Sequence, residues 1–235
     1  MLQPILCALD TKEISTATEL AEQVRPYVGG IKLGLEFFVS HGPKGVKALQ
    51  ALRMPIFLDL KLHDIPNTVA QAVDAATSSG IFMLTVHATG GKSMLRAARD
   101  AADEAAKRYN VTRPLLLAVT VLTSLEQEDL NQIGVERSIS EQVSNLAKFA
   151  QENGMDGVVC AAPEISAVRK TCGTNFKIIV PGLRPLDSAT NDQKRVMTPQ
   201  AARASGADYL VIGRPITAAA DPAAAAAAIA ASIAL

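Results

Sequence analysis

Short apolar runs alternate with longer amphipathic stretches along nearly the whole chain. The runs at 5–9, 30–33, 56–61, 83–87, 115–121, 157–160, 177–180 and 209–212 are short, and several are rich in Val, Ile or Leu. Most lack the apolar–polar alternation of a half-exposed strand, which is how strands covered on both faces read. Between them, helix-length segments with an apolar face include 16–24, 68–78, 92–108, 140–152, 163–170 and 199–204. Eight strands alternating with helices predict an α/β fold, a single (β/α)₈ TIM barrel over 1–235. An open doubly wound sheet is the rival. It is disfavoured because Asp10-Thr11-Lys12 stands after the first strand, where a glycine-rich dinucleotide fingerprint would be. No linker and no repeat by sequence identity interrupts the pattern.

Two segments depart from it. The stretch 184–194 holds Pro, Asp, Ser, Asn and Gln and little that is apolar, so a long mobile loop is expected at about 184–195. The Ala-rich tail follows Asp221-Pro222, a good N-cap and first-turn pair before the best helix former, and predicts the last barrel helix.

Composition narrows the class. A length of 235 residues suits one barrel and buries enough surface to need no disulfide or metal staple. The 23 basic and 23 acidic side chains balance, which argues against a general nucleic-acid or membrane-surface binder. A hydrophobic share of 49% with 20% charged excludes disorder, and 4% aromatics without Trp make a base-stacking platform improbable. Cys7, Cys160 and Cys172 form no CxxC pair, so reduced, mostly buried thiols are expected. Met1-Leu2-Gln3-Pro4 shows neither a basic leader nor a long apolar run, and the expected setting is cytoplasmic, with no membrane insertion.

In a barrel, chemistry belongs at the C-terminal ends of the strands. The first strand ends at Asp10, the second carries Lys32, and the third holds Asp59-Leu60-Lys61 before Leu62-His63-Asp64. Asp59 and Lys61, two apart, share the lumen face, while Leu58, Leu60 and Leu62 face the helices. Charges aimed into a lumen cost several kcal/mol unless paired. Lys32 on the neighbouring strand reaches toward Asp59, and Asp64 follows in the loop at the mouth. A buried salt-bridge plug is the bland reading of this set. The functional one makes Lys61 a positioned proton donor, kept charged by flanking carboxylates. Asp59 and Asp64 could alternatively hold a divalent cation, although Lys61 between them competes with it.

The last strand runs into Gly213-Arg214, and the final loops of this fold are its usual phosphate site. Backbone N–H groups and an Arg fork suit a phosphate dianion, and Arg184 and Gln193 on the preceding loop could close over it. Rim salt bridges and a solvated loop are the alternatives there. His63 and His87, each at a strand end, read more simply as hydrogen-bonded structure than as catalyst or ligand.

These residues resemble the orotidine 5′-phosphate decarboxylase family. The resemblance is carried, in order, by Ala8-Leu9-Asp10, Ile31-Lys32-Leu33-Gly34, Phe57 through Thr68, Val119-Thr120-Val121-Leu122-Thr123-Ser124, Val180 through Pro185, Asp192-Gln193-Lys194-Arg195 and Gly206 through Ile216. It implies decarboxylation of orotidine 5′-phosphate to UMP, the final step of de novo UMP biosynthesis, with no metal and no cofactor. It also implies a homodimer. Lys32, Asp59, Lys61 and Asp64 match the charged tetrad, with Asp64 and Thr68 reaching the partner's site. Lys61 matches the proton donor to C6, and Asp10 with Lys32 the ribose contact. Thr123, or its neighbour Ser124, matches the contact near the pyrimidine, and Pro181 a wall of the base pocket. Arg184, Gln193, Gly213 and Arg214 match the phosphate-binding set. The stretch 186–191 does not follow the family pattern in detail, which leaves lid length and closure open. Two competing readings remain: a metal-dependent sugar-phosphate decarboxylase or aldolase on the same barrel, which shares the DxKxxD spacing, and a non-catalytic nucleotide-phosphate sensor.

Overall fold

A computed structural model describes residues 3–185 and 197–233. Strands and helices follow one another as β1 Ile5–Ala8, α1 Ile14–Val24, β2 Gly30–Leu33, α2 Leu35–Gln50, β3 Ile56–Leu62, α3 Pro66–Ser78, β4 Met83–His87, α4 Gly91–Tyr109, β5 Leu115–Val119, α5 Gln127–Gln132, α6 Ile139–Glu152, β6 Gly157–Val159, α7 Ile165–Cys172, β7 Lys177–Val180, α8 Pro199–Ala204, β8 Tyr209–Ile212, α9 Arg214–Thr217 and α10 Pro222–Ile233. The eight strands pair in parallel and in sequence order, and β8 returns to β1 to close the barrel. The expected (β/α)₈ architecture is the observed one.

Local chemistry sets many of the boundaries. Helix α6 starts at a capping box in which Ser138 accepts from the Glu141 N–H while the Glu141 carboxylate accepts from that of Ser138. Pro66 and Pro199 open α3 and α8, where a missing N–H costs nothing. At the Ala-rich tail the Asp221 carboxylate accepts from the Ala224 N–H at 2.9 Å. Helix α2 is the element the sequence pattern obscures. Pro43 cannot continue the hydrogen-bond ladder, and the chain kinks at Gly42 with a φ of 56°, which glycine alone adopts cheaply. Strand β5 ends at Val119, two residues short of the 115–121 run, and just beyond it the N–H and the hydroxyl of Thr120 both donate to the Val159 carbonyl.

Two apolar layers result. Leu33, Leu58, Leu84, Val86, Leu116 and Ile178 face outward into the main core, beneath the helices. Leu6, Ala8, Phe57, Met83, Leu117, Ile179 and Val211 fill the lumen. This inner layer is the floor on which the polar site rests.

Candidate active site

Above that floor a cavity of about 240 Å³ opens at the C-terminal ends of the strands. Ala8, Phe57, Val119, Val159 and Val211 form its apolar base; Asp10, Lys32, Asp59 and Lys61 form one polar wall. Thr123, Pro181, Arg184, Gly213 and Arg214 line it as well. Loops after five different strands thus converge on one space, which parallel strands in register make possible.

The charged wall is a chain of alternating sign. Lys32 Nζ lies 3.4 Å from Asp10 Oδ1 and 3.7 Å from Asp59 Oδ2, and Lys61 Nζ lies 2.9 Å from the same Asp59 oxygen. Lys32 is buried, Asp59 and Lys61 are partly so, and Asp10 opens to solvent. Burial alone works against the Asp59 charge. The attraction of Lys32 and then Lys61, with hydrogen bonds from Lys61 and Thr85, outweighs it, and the carboxyl lies below the usual aspartate range. Gly34 sits against this wall: a Cβ there would stand 3.1 Å from Lys32 Nζ and 3.2 Å from Asp10 Oδ1, crowding the pair.

Strand β3 reaches this arrangement by a bulge. Its residues Phe57 and Leu58 pair with Met83 and Leu84, but the next registered pair is Leu62 with Val86. Four steps along β3 therefore match two along β4. Within the bulge Lys61 has a φ of 52°. A non-glycine residue in that region costs about 1–3 kcal/mol and persists only where its surroundings hold it. The Lys61 N–H donates to Thr85 Oγ1 at 2.8 Å, and the Thr85 hydroxyl donates to Asp59 Oδ1 at 3.0 Å.

Asp64 and Thr68 are not part of the wall. Asp64 is exposed and its carboxylate accepts from the Ile65 N–H at 2.6 Å; Thr68 is exposed on the first turn of α3. Within this chain the alternating set is Asp10, Lys32, Asp59 and Lys61. Arg184 is buried and donates to the Leu183 carbonyl at 3.1 Å. Gln193 and most of the 184–195 loop lie outside the described residues. Leu122 lines the cavity beside Thr123, whereas Ser124 does not line it. The rings of His63 and His87 lie tilted by 33°, with 5.4 Å between their centres. Burial, then the proximity of His63 and Lys61, holds the His87 imidazole below its usual titration range. Among the described residues no cluster of three or more His, Cys, Asp or Glu side chains is arranged to hold a metal ion. Sequence reasoning missed Thr85. Its signal was a hydroxyl at the lumen-facing position of β4 between Met83 and His87.

Comparison with known proteins agrees with this geometry. Residues 3–229 match the family model described as orotidine 5′-phosphate decarboxylase / HUMPS family. The chain is 52% identical over 235 residues to the orotidine 5′-phosphate decarboxylase of Paramagnetospirillum magneticum, covering all of both chains. It is 52% identical over 231 residues to the protein of the same name from Rhodospirillum rubrum, covering 98% of this chain and 94% of that one. Among solved structures, the orotidine 5′-phosphate decarboxylase of Lactobacillus acidophilus superposes with a TM-score of 0.86 at 36% identity, over 98% of this chain and 99% of that one.

Proposed function

The chain belongs to the orotidine 5′-phosphate decarboxylase / HUMPS family, and we propose how its barrel mouth carries out the decarboxylation. The reaction converts orotidine 5′-phosphate to UMP and carbon dioxide, the final step of UMP biosynthesis. The observation that carries the mechanism is the Lys61 ammonium, 2.9 Å from Asp59 and facing a cavity whose other side presents Gly213 and Arg214.

The substrate lies across the cavity with its phosphate toward Arg214, Gly213 and Arg184. The Arg forks and nearby backbone match phosphate oxygens. Asp10 and Lys32 hold the ribose, and Thr123 and Pro181 meet the base. The carboxylate on C6 then points at Asp59 and Lys61. When the C6–carboxylate bond breaks, its electron pair stays on C6 and carbon dioxide departs. The ammonium of Lys61 stabilises that carbanion and donates a proton to it, forming the C6–H bond of UMP. Lys61, left neutral, regains its proton from water. Lys32 and Lys61 keep Asp59 ionised, so the site holds a negative charge beside the substrate carboxylate and a positive one beside the product carbanion. Phosphate binding far from C6 supplies energy that orders the site.

A second copy of the chain completes the site. Leu35, Val39, Ile65 and Leu122 are exposed apolar residues, all at the mouth end of the barrel, and Asp64 and Thr68 stand among them outside their own cavity. In a two-fold dimer Asp64 reaches the partner's Lys61 and Thr68 the partner's substrate. Co-expression of Lys61→Ala and Asp64→Ala chains tests this. Two-fold pairing leaves up to about a quarter of the sites intact, so activity returns in the mixture. A mixture as inactive as its parents would refute the shared site. The enzyme works in the cytoplasm, where its three buried cysteines remain thiols.

The direct test is to follow the ultraviolet absorbance of orotidine 5′-phosphate with and without excess EDTA. Equal, rapid loss in both samples is expected. Loss abolished by EDTA would favour the metal-dependent branch of the family, and UMP binding without any loss would favour a sensor.

A further inference from the structure

We propose that Thr85 is a positioning residue for the reaction: its one hydroxyl locks the backbone of Lys61 and the carboxylate of Asp59 into their working geometry. The proposal rests on the reading that Lys61 and Asp59 carry the chemistry. Thr85 lies fully buried in β4 and does not line the cavity, so it touches no substrate.

Its hydrogen bonds leave one assignment. The Lys61 N–H can only donate, so Thr85 Oγ1 accepts from it at 2.8 Å. The hydroxyl proton is then left for Asp59 Oδ1 at 3.0 Å, an acceptor because Lys32 and Lys61 keep that carboxylate ionised. The other oxygen, Oδ2, takes the Lys61 ammonium. A closed ring results: Lys61 backbone to Thr85, Thr85 to Asp59, Asp59 back to the Lys61 side chain. The bulge makes this ring necessary. Four steps of β3 run against two of β4, Lys61 turns to a φ of 52°, and its N–H meets the Thr85 hydroxyl where a regular ladder would offer it a strand carbonyl. Thr85 satisfies that N–H and holds the left-handed residue that aims the ammonium. A hydroxyl does what an apolar residue of the same shape cannot, since it serves a backbone donor and a carboxylate together.

The test compares Thr85→Val, Thr85→Ser and Lys61→Ala with the wild-type enzyme, using kcat and KM for orotidine 5′-phosphate, the Kd for UMP, and thermal unfolding. Val keeps the shape and removes the hydroxyl. It is expected to lower kcat by about 30-fold or more while leaving KM and the UMP Kd within about threefold, because the lost interactions act on the reacting groups and not on phosphate or ribose. Ser restores the hydroxyl and should return kcat to within about threefold of wild type. The proposal is overturned if Val retains wild-type kcat, if Ser is as impaired as Val, or if kcat, UMP affinity and unfolding temperature fall together. Should Val fail to fold, Ser and Ala are compared on the same measurements, with the same requirement that Ala lose kcat and keep UMP affinity. Full activity in Lys61→Ala would instead sink the underlying mechanism, a separate result from full activity in Thr85→Val.

Discussion

The two ends of the barrel use the same residue types to opposite purpose. At the N-terminal end, Asp156 Oδ2 accepts from the Leu116 N–H at 2.7 Å and pairs with Arg113 at 2.6 Å. Asp208 repeats the arrangement two βα units further on: it accepts from the Ile178 N–H at 2.9 Å and pairs with Arg169 and Lys177. Arg169 spends its remaining donors on the carbonyls of Gly173, Phe176 and Gly206. These guanidinium forks and carboxylates are partnered within the chain and tie β5 to β6 and β7 to β8. At the C-terminal end the cations that pair with the carboxylates are Lys32 and Lys61, with Arg184 and Arg214 lining the same cavity. Among the described residues the Lys61 ammonium hydrogen-bonds only Asp59, and its other protons face the cavity. The lesson is one of spare valence: a cation such as Arg169, with its donors taken up by the chain, makes a staple, and one such as Lys61, with donors left over, makes a site.

The largest effect that would sharpen this contrast is at the mouth. Lys61→Ala should lower kcat/KM by roughly 10⁴-fold or more while the unfolding temperature moves little, since Lys32 remains beside Asp59. Steady-state assay and calorimetry on one preparation check both halves; near-wild-type turnover would remove Lys61 from the chemistry. The mirror experiment is Asp208→Ala at the other end. It strands the Ile178 N–H and part of Arg169, so stability in urea should drop by about 2–4 kcal/mol with kcat/KM of the folded enzyme unchanged. A loss of activity without a loss of stability there would break the division of labour. Arg214→Ala follows, with kcat/KM expected to fall by about 10²-fold, mostly through KM; an unchanged value would move the phosphate elsewhere.

The smallest effect is in pH. The native His87 titrates below its unfolded value, chiefly through burial and then through His63 and Lys61. Between those two values the unfolded chain binds more protons, so this contribution to stability is present above about pH 6.5 and is lost as pH falls through the lowered native value. Replacing His87 by Gln should flatten the fall in stability below about pH 6.5, as measured by urea denaturation at several pH values. A slope identical to wild type would show that other groups set it.

Much of this was legible along the chain because the forces involved are local. Strands buried on both faces read as apolar runs, and β2, β4, β7 and β8 begin and end where those runs do. The two-residue spacing of Asp59 and Lys61 put both on the lumen side, and the bond between them bears this out. Helix α2 was hidden by Gly42-Pro43, whose local preference is to break a helix and which here only kinks one. Asp64 looked from its spacing like a neighbour of Lys61, yet in its own chain its carboxylate accepts from the adjacent Ile65 N–H, because the chain leaves the barrel after the bulge. Thr85 gave only a faint signal, a polar residue at a lumen position.

The sequence by itself determined the barrel, its length and the identity of the ionic groups, because hydrophobic period and strand-end polarity depend on residues a few places apart. Only the tertiary structure decided which groups touch. The hydroxyl that holds Lys61 comes from a residue 24 places away on the next strand, and the second ammonium beside Asp59 from the strand on its other side. The register slip between β3 and β4 that turns Lys61 into its left-handed conformation belongs to the pair of strands and to neither alone. Such pairings form only when the barrel closes, since closure brings distant side chains to within 3 Å and excludes the water that would otherwise satisfy them.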